Sequence, residues 1–392
     1  MILNNSIKKK IQTAVTIALI TSGIIPAVKA EVANQNVDNP AGTTIDQGSG
    51  LMAVDLDNGS TFTITNAGTI SASASQNNMY GIQIDSETTV SSLINTGTIL
   101  GDTTATNKDT GYGIYAHTDG SIGTLTNSGT IKGRGRRNIG RGILTNNASL
   151  TSFTNSSTGI IEGITGDGIG GSINACCAEG VSLNGPTSNS MDIDNDGIIR
   201  GLSDAGGAWG MRNTQKIGTL DNSGTILGQA DNSGATGAEL SGSGSGYSIS
   251  TINNSGTMSG VAGVSDAYGL VLQSRETETI NNSGTINATA TSQGSYGVRI
   301  ESMGTDITVE NFNNTGTISA SSGTTVSYGV QLYNYYSDVT ITNFTNTGTI
   351  SSSVGEGSDV YDIEMSKGYG ANNIITNLNN SQGKDGNDVL TY

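Results

Sequence analysis

Several residue types on which globular enzymes rely are scarce in this chain of 392 residues. It contains one His, two Cys, three Pro and one Trp, and charged residues make up only 13%. Hydrophobic residues reach 34%, which is too few for two or three ordinary globular domains. Low hydrophobicity alone would suggest disorder, but disordered segments are rich in Pro, Lys and Glu. The composition therefore favours a fold with a narrow core that every part of the chain helps to build.

The shortage of cysteine excludes a disulfide framework. Cys176 and Cys177 are adjacent, so they cannot cross-link distant segments, and a ring between neighbouring residues is strained. A metal pair or a redox pair is the alternative, but no His lies near them in the sequence.

Residues 1–30 have the pattern of a secretory signal peptide, cleaved after Ala30. Three lysines at positions 8–10 precede an apolar run from Ile11 to Pro26 and a small-residue exit. A membrane anchor is the alternative, but the run is short and contains Thr, Ser and Gly. The segment holds four lysines and no acids, so 13 Lys and Arg remain against 33 Asp and Glu, a formal charge of −20. This charge disfavours nucleic acid and anionic membranes as partners.

The chain is rich in Gly, with 57 residues, and in Ser, Thr and Asn, which recur in the phrase Asn-small-Gly-Thr-Ile. The Asn and Gly of its eight clear copies are Asn66 and Gly68, Asn95 and Gly97, Asn127 and Gly129, Asn222 and Gly224, Asn254 and Gly256, Asn282 and Gly284, Asn314 and Gly316, and Asn346 and Gly348. Degenerate copies begin at Asn155 and Asn195. Starts lie 27 to 32 residues apart, except for one interval of 40 between the degenerate copies. That interval contains both cysteines and Pro186, and we expect an inserted loop there.

A second phrase keeps step with the first: an aromatic residue, Gly and alternating apolar residues, as in Tyr80-Gly81-Ile82. Arg141 and Glu179 replace the aromatic residue in two copies. With the apolar pair that precedes each Asn, every unit has three short alternating segments. Three strands and three turns per unit predict an all-β fold, a right-handed parallel β-helix (solenoid) of about ten coils of 27–32 residues. An α-helical solenoid would need a period of about 3.6 residues and few glycines.

The repeat also predicts local structure. Asn at the same corner of successive coils should form an amide ladder. The Gly that follows should adopt a positive φ at a tight corner. The Tyr or Trp of the second phrase should stack in one aromatic column. Inward Ile, Val and Leu would stack along a rod roughly 50 Å long, with Ser, Thr, Asn and Asp outside.

Asn-Ser-Gly-Thr-Ile repeats behind a signal peptide resemble the passenger domains of autotransporters of Gram-negative bacteria. Residues 377–383 and the final Leu390-Thr391-Tyr392 are similar to the end of the repeat array in such passengers. The resemblance covers about residues 40–392. It implies export through the inner membrane, a place at the cell surface or outside the cell, and a C-terminal outer-membrane β-barrel. These residues include no barrel, so a truncated gene product and a barrel-less secreted relative are both open.

Candidate catalytic and metal-binding residues are few. His117 would need a buried serine beside it for a catalytic triad, and no Gly-x-Ser-x-Gly turn occurs, so an exposed turn histidine is the better interpretation. Asp192-x-Asp194-x-Asp196 resembles the start of a calcium loop, but it is in register with the repeat, which favours a strand. Residues 383–390 resemble one calcium-binding nonapeptide, where consecutive copies are required. No cofactor and no metal is predicted.

The sequence has one basic cluster, which comprises Lys132, Arg134, Arg136, Arg137 and Arg141. It could bind a polyanion such as a sulfated glycan, or be a protease-sensitive site. The alternative is a plain exposed loop between two coils, which the Gly-rich spacing favours.

The chain is thus divided into a signal peptide (1–30), an N-terminal cap (31–50), a repetitive β-helix passenger (51–376) and the end of the array or start of a linker (377–392). The leading hypothesis is a non-enzymatic adhesin or structural display rod that contacts host cells, matrix, glycan surfaces or neighbouring bacteria through many weak interactions. A carbohydrate-active or other hydrolytic enzyme on the same scaffold is one alternative, and an inert spacer is another.

Overall fold

The structure, a computed structural model, describes residues 32–33, 35–46, 51–57, 59–74, 78–103, 110–136, 138–166, 176–186, 188, 190–242, 247–355, 360–367 and 371–380. All helical or strand structure within these ranges is β-strand, arranged as a parallel solenoid, which confirms the predicted fold class. The predicted signal peptide, including Ala30, and residues 381–392 lie outside the described ranges.

Each coil contributes one strand to each of three parallel sheets, in the order sheet 1, sheet 2, sheet 3. The described strands of sheet 1 are β1 Val32–Ala33, β4 Met52–Leu56, β7 Asn78–Ile84, β10 Thr110–Ala116, β13 Ile139–Asn146, β16 Cys177–Asn184, β19 Gly207–Asn213, β22 Ala235–Gly242, β25 Ala267–Ser274, β28 Ser295–Ser302, β31 Ser327–Asn334 and β34 Val360–Lys367. Those of sheet 2 are β2 Val37–Asn39, β5 Thr61–Asn66, β8 Thr89–Asn95, β11 Ser121–Asn127, β14 Ser149–Asn155, β17 Met191–Asn195, β20 Ile217–Asn222, β23 Ser248–Asn254, β26 Glu276–Asn282, β29 Ile307–Asn314, β32 Val339–Asn346 and β35 Asn373–Asn380. Those of sheet 3 are β3 Thr44–Asp46, β6 Thr69–Ala74, β9 Thr98–Thr103, β12 Thr130–Gly135, β15 Ile160–Thr165, β18 Ile198–Ser203, β21 Thr225–Ala230, β24 Thr257–Ala262, β27 Thr285–Ala290, β30 Thr317–Ser322 and β33 Thr349–Val354.

Strands of one sheet pair with their equivalents in the neighbouring coils, so the sequence period becomes a stack of like residues. Ile114 of β10, for example, is aligned with Ile82 of β7 and Ile143 of β13. At about 4.8 Å per coil, the twelve strands of sheet 1 make a rod about 50 Å long.

The interior is a narrow apolar column. Ile82 and Ile84 of sheet 1, Leu93 of sheet 2 and Ile99 of sheet 3 are all fully buried. Where sheets 3 and 1 converge, the column narrows to a separate cluster of alanines. A fully buried aliphatic side chain contributes about 1.5–3 kcal/mol. Stability is therefore spread over all coils and has no single centre.

Twelve asparagines stack at the corner from sheet 2 to sheet 3. Each Nδ2 donates to the Oδ1 of the Asn in the next coil at 2.7 to 2.9 Å. The ladder consists of Asn39, Asn66, Asn95, Asn127, Asn155, Asn195, Asn222, Asn254, Asn282, Asn314, Asn346 and Asn380. Asn39 and Asn380 extend it one coil beyond each end of the repeat phrases found in the sequence. Strand pairing accordingly reaches into residues 31–50 and past residue 376.

The glycine of the repeat phrase serves a purpose different from the one expected. None of the phrase glycines, from Gly68 to Gly348, has a positive φ. The positive-φ glycines of the described residues are Gly42, Gly59, Gly166 and Gly304. A Cβ on Gly256 would lie 2.5 Å from the carbonyl carbon of Ser223 and closer still to the carbonyl oxygen of Gly224. The prediction of a positive φ was therefore wrong: Gly is required because successive coils leave no room for a Cβ.

The interval of 40 residues lengthens the connection from sheet 3 to sheet 1. β15 ends at Thr165 and β16 begins at Cys177, whereas β18 ends at Ser203 and β19 begins at Gly207. Cys177 itself is in a strand, aligned with Ile139 of the preceding coil, and forms a disulfide with Cys176. The inserted residues therefore leave the solenoid pairing on either side of them intact.

Candidate functional surfaces

The predicted basic cluster belongs to the sheets. Lys132 and Arg134 lie on β12, Arg141 lies on β13, and Arg136 follows β12 directly. Arg137 lies outside the described residues. The loop interpretation is therefore wrong for the three strand residues, because the Gly-rich spacing that suggested a loop is the spacing at which two sheets converge closely.

Three residues of the outward face of sheet 3 alternate in charge from coil to coil: Lys132, Glu162 and Arg200. Lys132 Nζ lies 3.3 Å from Glu162 Oε2, and Arg200 Nε donates to Glu162 Oε1 at 2.7 Å. Burial opposes ionisation of Glu162, but the Arg200 hydrogen bond and the Lys132 charge outweigh it and lower the pKa of the carboxyl. Arg134 Nη1 lies 3.8 Å from Asp102 Oδ2 of the preceding coil. Most of the positive charge that suggested polyanion binding is thus neutralised within the rod.

A second ladder of charges interrupts the tyrosine positions of sheet 1. Arg141, Glu179 and Trp209 occupy the positions aligned with Tyr112. The side chain of Glu179 is fully buried, and Arg141 Nη2 donates to its Oε1 at 3.2 Å. Arg212 of the next coil lies 3.9 Å from the same oxygen. A buried carboxylate requires such partners, because an isolated charge is expensive to desolvate.

Tyrosines therefore form two columns on sheet 1, where one was expected. Near the N-terminal end, Tyr80 and Tyr112 stack with ring centroids 5.2 Å apart. The C-terminal column consists of Tyr268, Tyr296, Tyr328 and Tyr361, with centroids 4.8 to 5.9 Å apart. Burial raises the pKa of Tyr80 and of Tyr296 to about 12, reinforced by neighbouring tyrosines at Tyr80 and by neighbouring acids at Tyr296. These phenols stay neutral and packed well above physiological pH.

Arg299 lies at the centre of an outer layer of side chains beside the C-terminal column. Its guanidinium carbon lies 4.5, 5.2 and 5.7 Å from the ring centroids of Tyr333, Tyr296 and Tyr268. Its Nη2 donates to Glu301 Oε1 at 3.1 Å, while its Nε is buried without a hydrogen-bond partner. Stacking on three rings and pairing with one carboxylate fixes the guanidinium in place.

Gln331 continues this layer in the next coil, where it is aligned with Arg299. It alternates with the core residues Val330 and Leu332, so its side chain points outward, yet only 5% of the residue is exposed. Its Nε2 donates to Glu364 Oε2 at 2.9 Å and to a serine hydroxyl at 3.0 Å. Its Oε1 is buried and has no hydrogen-bond partner.

The outward face of sheet 2 has small polar side chains where sheets 1 and 3 have ladders of opposite charges. Its outward positions are mostly Ser, Thr, Asn and Asp, and the described strands of sheet 2 contain no Lys or Arg. A second amide ladder runs along it: Asn253 donates to Asp221 at 2.7 Å, Asn281 to Asn253 at 2.8 Å and Asn313 to Asn281 at 3.0 Å. This face is regular, hydrogen-bonded and acidic at its centre.

The remaining candidates from the sequence are His117 and the aspartates of the calcium-like phrase, and each of them contacts the solenoid. His117 follows β10 and meets the Tyr115 ring edge-on, with centroids 5.6 Å apart. The aspartates of the calcium-like phrase lie on β17 and directly after it, and burial, with the charges of Asp196 and Asp221, raises the pKa of Asp194. Among the described residues, no group of three or more His, Cys, Asp or Glu is arranged to hold a metal ion.

No protein-family model, no curated protein and no solved structure matches this chain. In the described ranges, no helix has the length and apolar character needed to cross a bilayer. The parallel solenoid is compatible with an autotransporter passenger. The repeat phrase and this fold are the two observations behind that resemblance.

Proposed function

We propose that the chain is the exported, surface-displayed rod of an autotransporter-like protein, and that it acts as an adhesin or a structural display element. The observation that carries the proposal is the form of the rod. Stacked apolar residues and the asparagine ladder fill its interior, so its distinctive chemistry lies on three long outward faces. Such faces suit binding through many repeated weak contacts.

Export is supported by the N-terminal pattern and by composition. Residues 1–30 have the charged start, apolar run and small-residue exit of a signal peptide. The described cysteines form no long-range cross-link, so the chain could be kept unfolded during passage across a second membrane.

The hydrolase alternative finds less support in the described residues. The buried carboxylates there, those of Glu162 and Glu179, are both paired with basic side chains. A small cavity at the corner from sheet 1 to sheet 2 is lined by residues that include Gln215 and Tyr247, and no acid or histidine lines it. Glycoside hydrolysis needs two carboxylates facing one substrate.

Expression of the full chain in a Gram-negative host tests the proposal. The recovered product should begin at Glu31, lie outside the cytoplasm, and make coated beads adhere to host cells or matrix. A chain lacking residues 2–30 is the matched control and should remain in the cytoplasm. Retention of the full chain in the cytoplasm would overturn the export part. Beads that adhere no better than albumin-coated ones would overturn the adhesive part in favour of a spacer.

A further inference from the structure

Two successive coils expose large apolar side chains at the corner from sheet 1 to sheet 2. Met303, which follows β28, is 63% exposed, and Tyr336, which lies beyond the end of β31, is 60% exposed. Tyr336 packs edge-on against Tyr335, with centroids 4.2 Å apart, and Tyr335 lies 6.4 Å from Tyr333. A continuous run of rings therefore leads from an exposed corner onto the outward face of sheet 1.

The run of rings ends at the buried polar layer around Arg299. The Arg299 guanidinium lies 4.5 Å from the Tyr333 ring centroid. Arg299 Nε and Gln331 Oε1, on aligned residues, are a buried donor and a buried acceptor without partners. Both atoms are enclosed by protein, so a ligand at the surface of the layer does not reach them.

This layer is ordered before any ligand arrives. Gln273 donates to Glu301 at 3.3 Å, Tyr268 donates to Asp266 at 3.1 Å, and Gln331 donates to Glu364 at 2.9 Å. The two glutamine bonds join neighbouring coils, and the bond to Asp266 holds the Tyr268 hydroxyl within its own coil. A ligand would therefore not have to order these side chains, which favours affinity.

The charge of the layer restricts the class of ligand. Asp266, Glu301 and Glu364 outnumber Arg299, which is already paired, so sulfate, phosphate and sialic acid would be repelled. An exposed ring offers an apolar surface to the face of a pyranose, and the carboxylates and amides of the layer at the other end of the run of rings can accept from and donate to sugar hydroxyls. We propose that the outward face of sheet 1 from β25 to β34 binds neutral carbohydrate, with Tyr336 as the exposed stacking platform. This gives a ligand class to the proposed adhesive rod and depends on that proposal.

Binding of the purified full-length product to immobilised neutral hexose and N-acetylhexosamine oligosaccharides tests the site. Sulfated and sialylated glycans and a Lys-rich peptide are included as further probes. We expect retention on neutral glycans that salt between about 0.05 and 0.5 M leaves unchanged, because no ion pair is involved. Tyr336→Ala should lower the affinity at least about fivefold by titration calorimetry, and Tyr336→Trp should preserve it. Val264→Ala, which trims another apolar residue that is 44% exposed, is the matched control and should bind like the parent.

Three results would overturn the inference: no neutral glycan retained, equal binding by Tyr336→Ala, or binding of the Lys-rich peptide or the anionic glycans alone. Equal thermal unfolding of all variants by circular dichroism would show that lost binding is not lost folding. If the purified rod binds no neutral glycan while coated beads still adhere to cells, the carbohydrate site is wrong and the proposed function stands. If it binds glycan but the full chain is never exported, the proposed function alone is overturned.

Discussion

The inner asparagine ladder can be tested by comparing two adjacent residues of β23. Asn254 is 2% exposed, accepts from Asn222 at 2.7 Å and donates to Asn282 at 2.8 Å. Asn253 occupies the same place in the outer ladder: it donates to Asp221 at 2.7 Å and accepts from Asn281 at 2.8 Å, but it is partly exposed. Each residue makes one donor bond and one acceptor bond along its ladder, but Asn254 is buried and also donates to the carbonyl oxygens of Thr285 and Gly256.

Asn254→Ala should destabilise the rod by about 3 kcal/mol. Two buried side-chain hydrogen bonds are lost, each worth a net contribution of about 1 kcal/mol, and the Oδ1 of Asn282 becomes a buried acceptor without a partner, which costs about 1–3 kcal/mol. The part-buried bonds of Asn254 Nδ2 to the carbonyl oxygens of Thr285 at 3.1 Å and Gly256 at 3.4 Å are lost as well. The Nδ2 of Asn222 keeps its bond to the Thr257 carbonyl oxygen at 3.2 Å, which limits the loss on that side. Asn253→Ala should cost less than about 1 kcal/mol, because water can replace the outer amide.

Urea unfolding followed by circular dichroism gives the free energy of unfolding of each variant. Hydrogen exchange measured by mass spectrometry shows which strands lose protection. Contacts in a solenoid join neighbouring coils only, so Asn254→Ala should speed exchange in β20, β23 and β26 before it affects the ends of the rod. Equal losses for the two variants would refute the claim that burial decides the contribution of the inner ladder. A uniform loss of protection along the rod would refute the nearest-neighbour description.

Three further outcomes follow from the same structure. Gly256→Ala should destabilise the rod by several kcal/mol in the same urea assay, since its Cβ would lie 2.5 Å from a backbone carbon of the preceding coil; unchanged stability would contradict the close approach. Absorbance at 295 nm should show Tyr80 and Tyr296 ionising near pH 12, above the pKa of about 10 that is usual for a tyrosine, so their contribution to stability is present below about pH 10 and is lost as pH rises towards 12. The ion pairs of Glu162 stabilise the fold above its unfolded pKa of about 4.3, and this contribution is lost as pH falls through the lowered folded pKa. Glu162→Gln should therefore flatten the acid limb of the stability profile measured between about pH 2 and 6, and an unchanged limb would contradict the shift.

The fold and the ladder positions follow from the sequence because parallel, in-register stacking turns a period along the chain into a contact in space. Ten of the ladder asparagines can be located from spacing alone. The repeat phrase does not identify Asn39, because Pro40 and a corner with a positive-φ Gly42 lengthen its copy. It does not identify Asn380 either, because no Thr-Ile follows that residue. The role of the phrase glycines depends on the distance between coil backbones, which no local pattern contains.

The charge ladders show where a linear interpretation of the sequence fails. Lys132, Arg134 and Arg141 look like a cluster because they are close in sequence, whereas their acidic partners lie one coil away along the chain. A signal was nevertheless present, since Arg141 and Glu179 both stand directly before the Gly of the second phrase, where other coils have an aromatic residue. Aligning the coils before counting charges would have paired these two residues.

Function in such a rod should lie where the outward columns depart from the repeat. Inward positions are restricted by stacking, and the phrase glycines by backbone distance, so neither can vary much from coil to coil. Outward positions carry no such restriction, and most of them hold small polar residues. Outward residues that differ from the repeat are concentrated in two groups. The band from Lys132 to Glu239 contains fixed charges that mostly neutralise one another, which suits stabilising the coils on either side of the long connection. The layer from Tyr268 to Glu364 is equally ordered, and a run of rings joins it to the exposed Tyr336, so this is the face where an external ligand would find both an apolar ring and fixed polar groups.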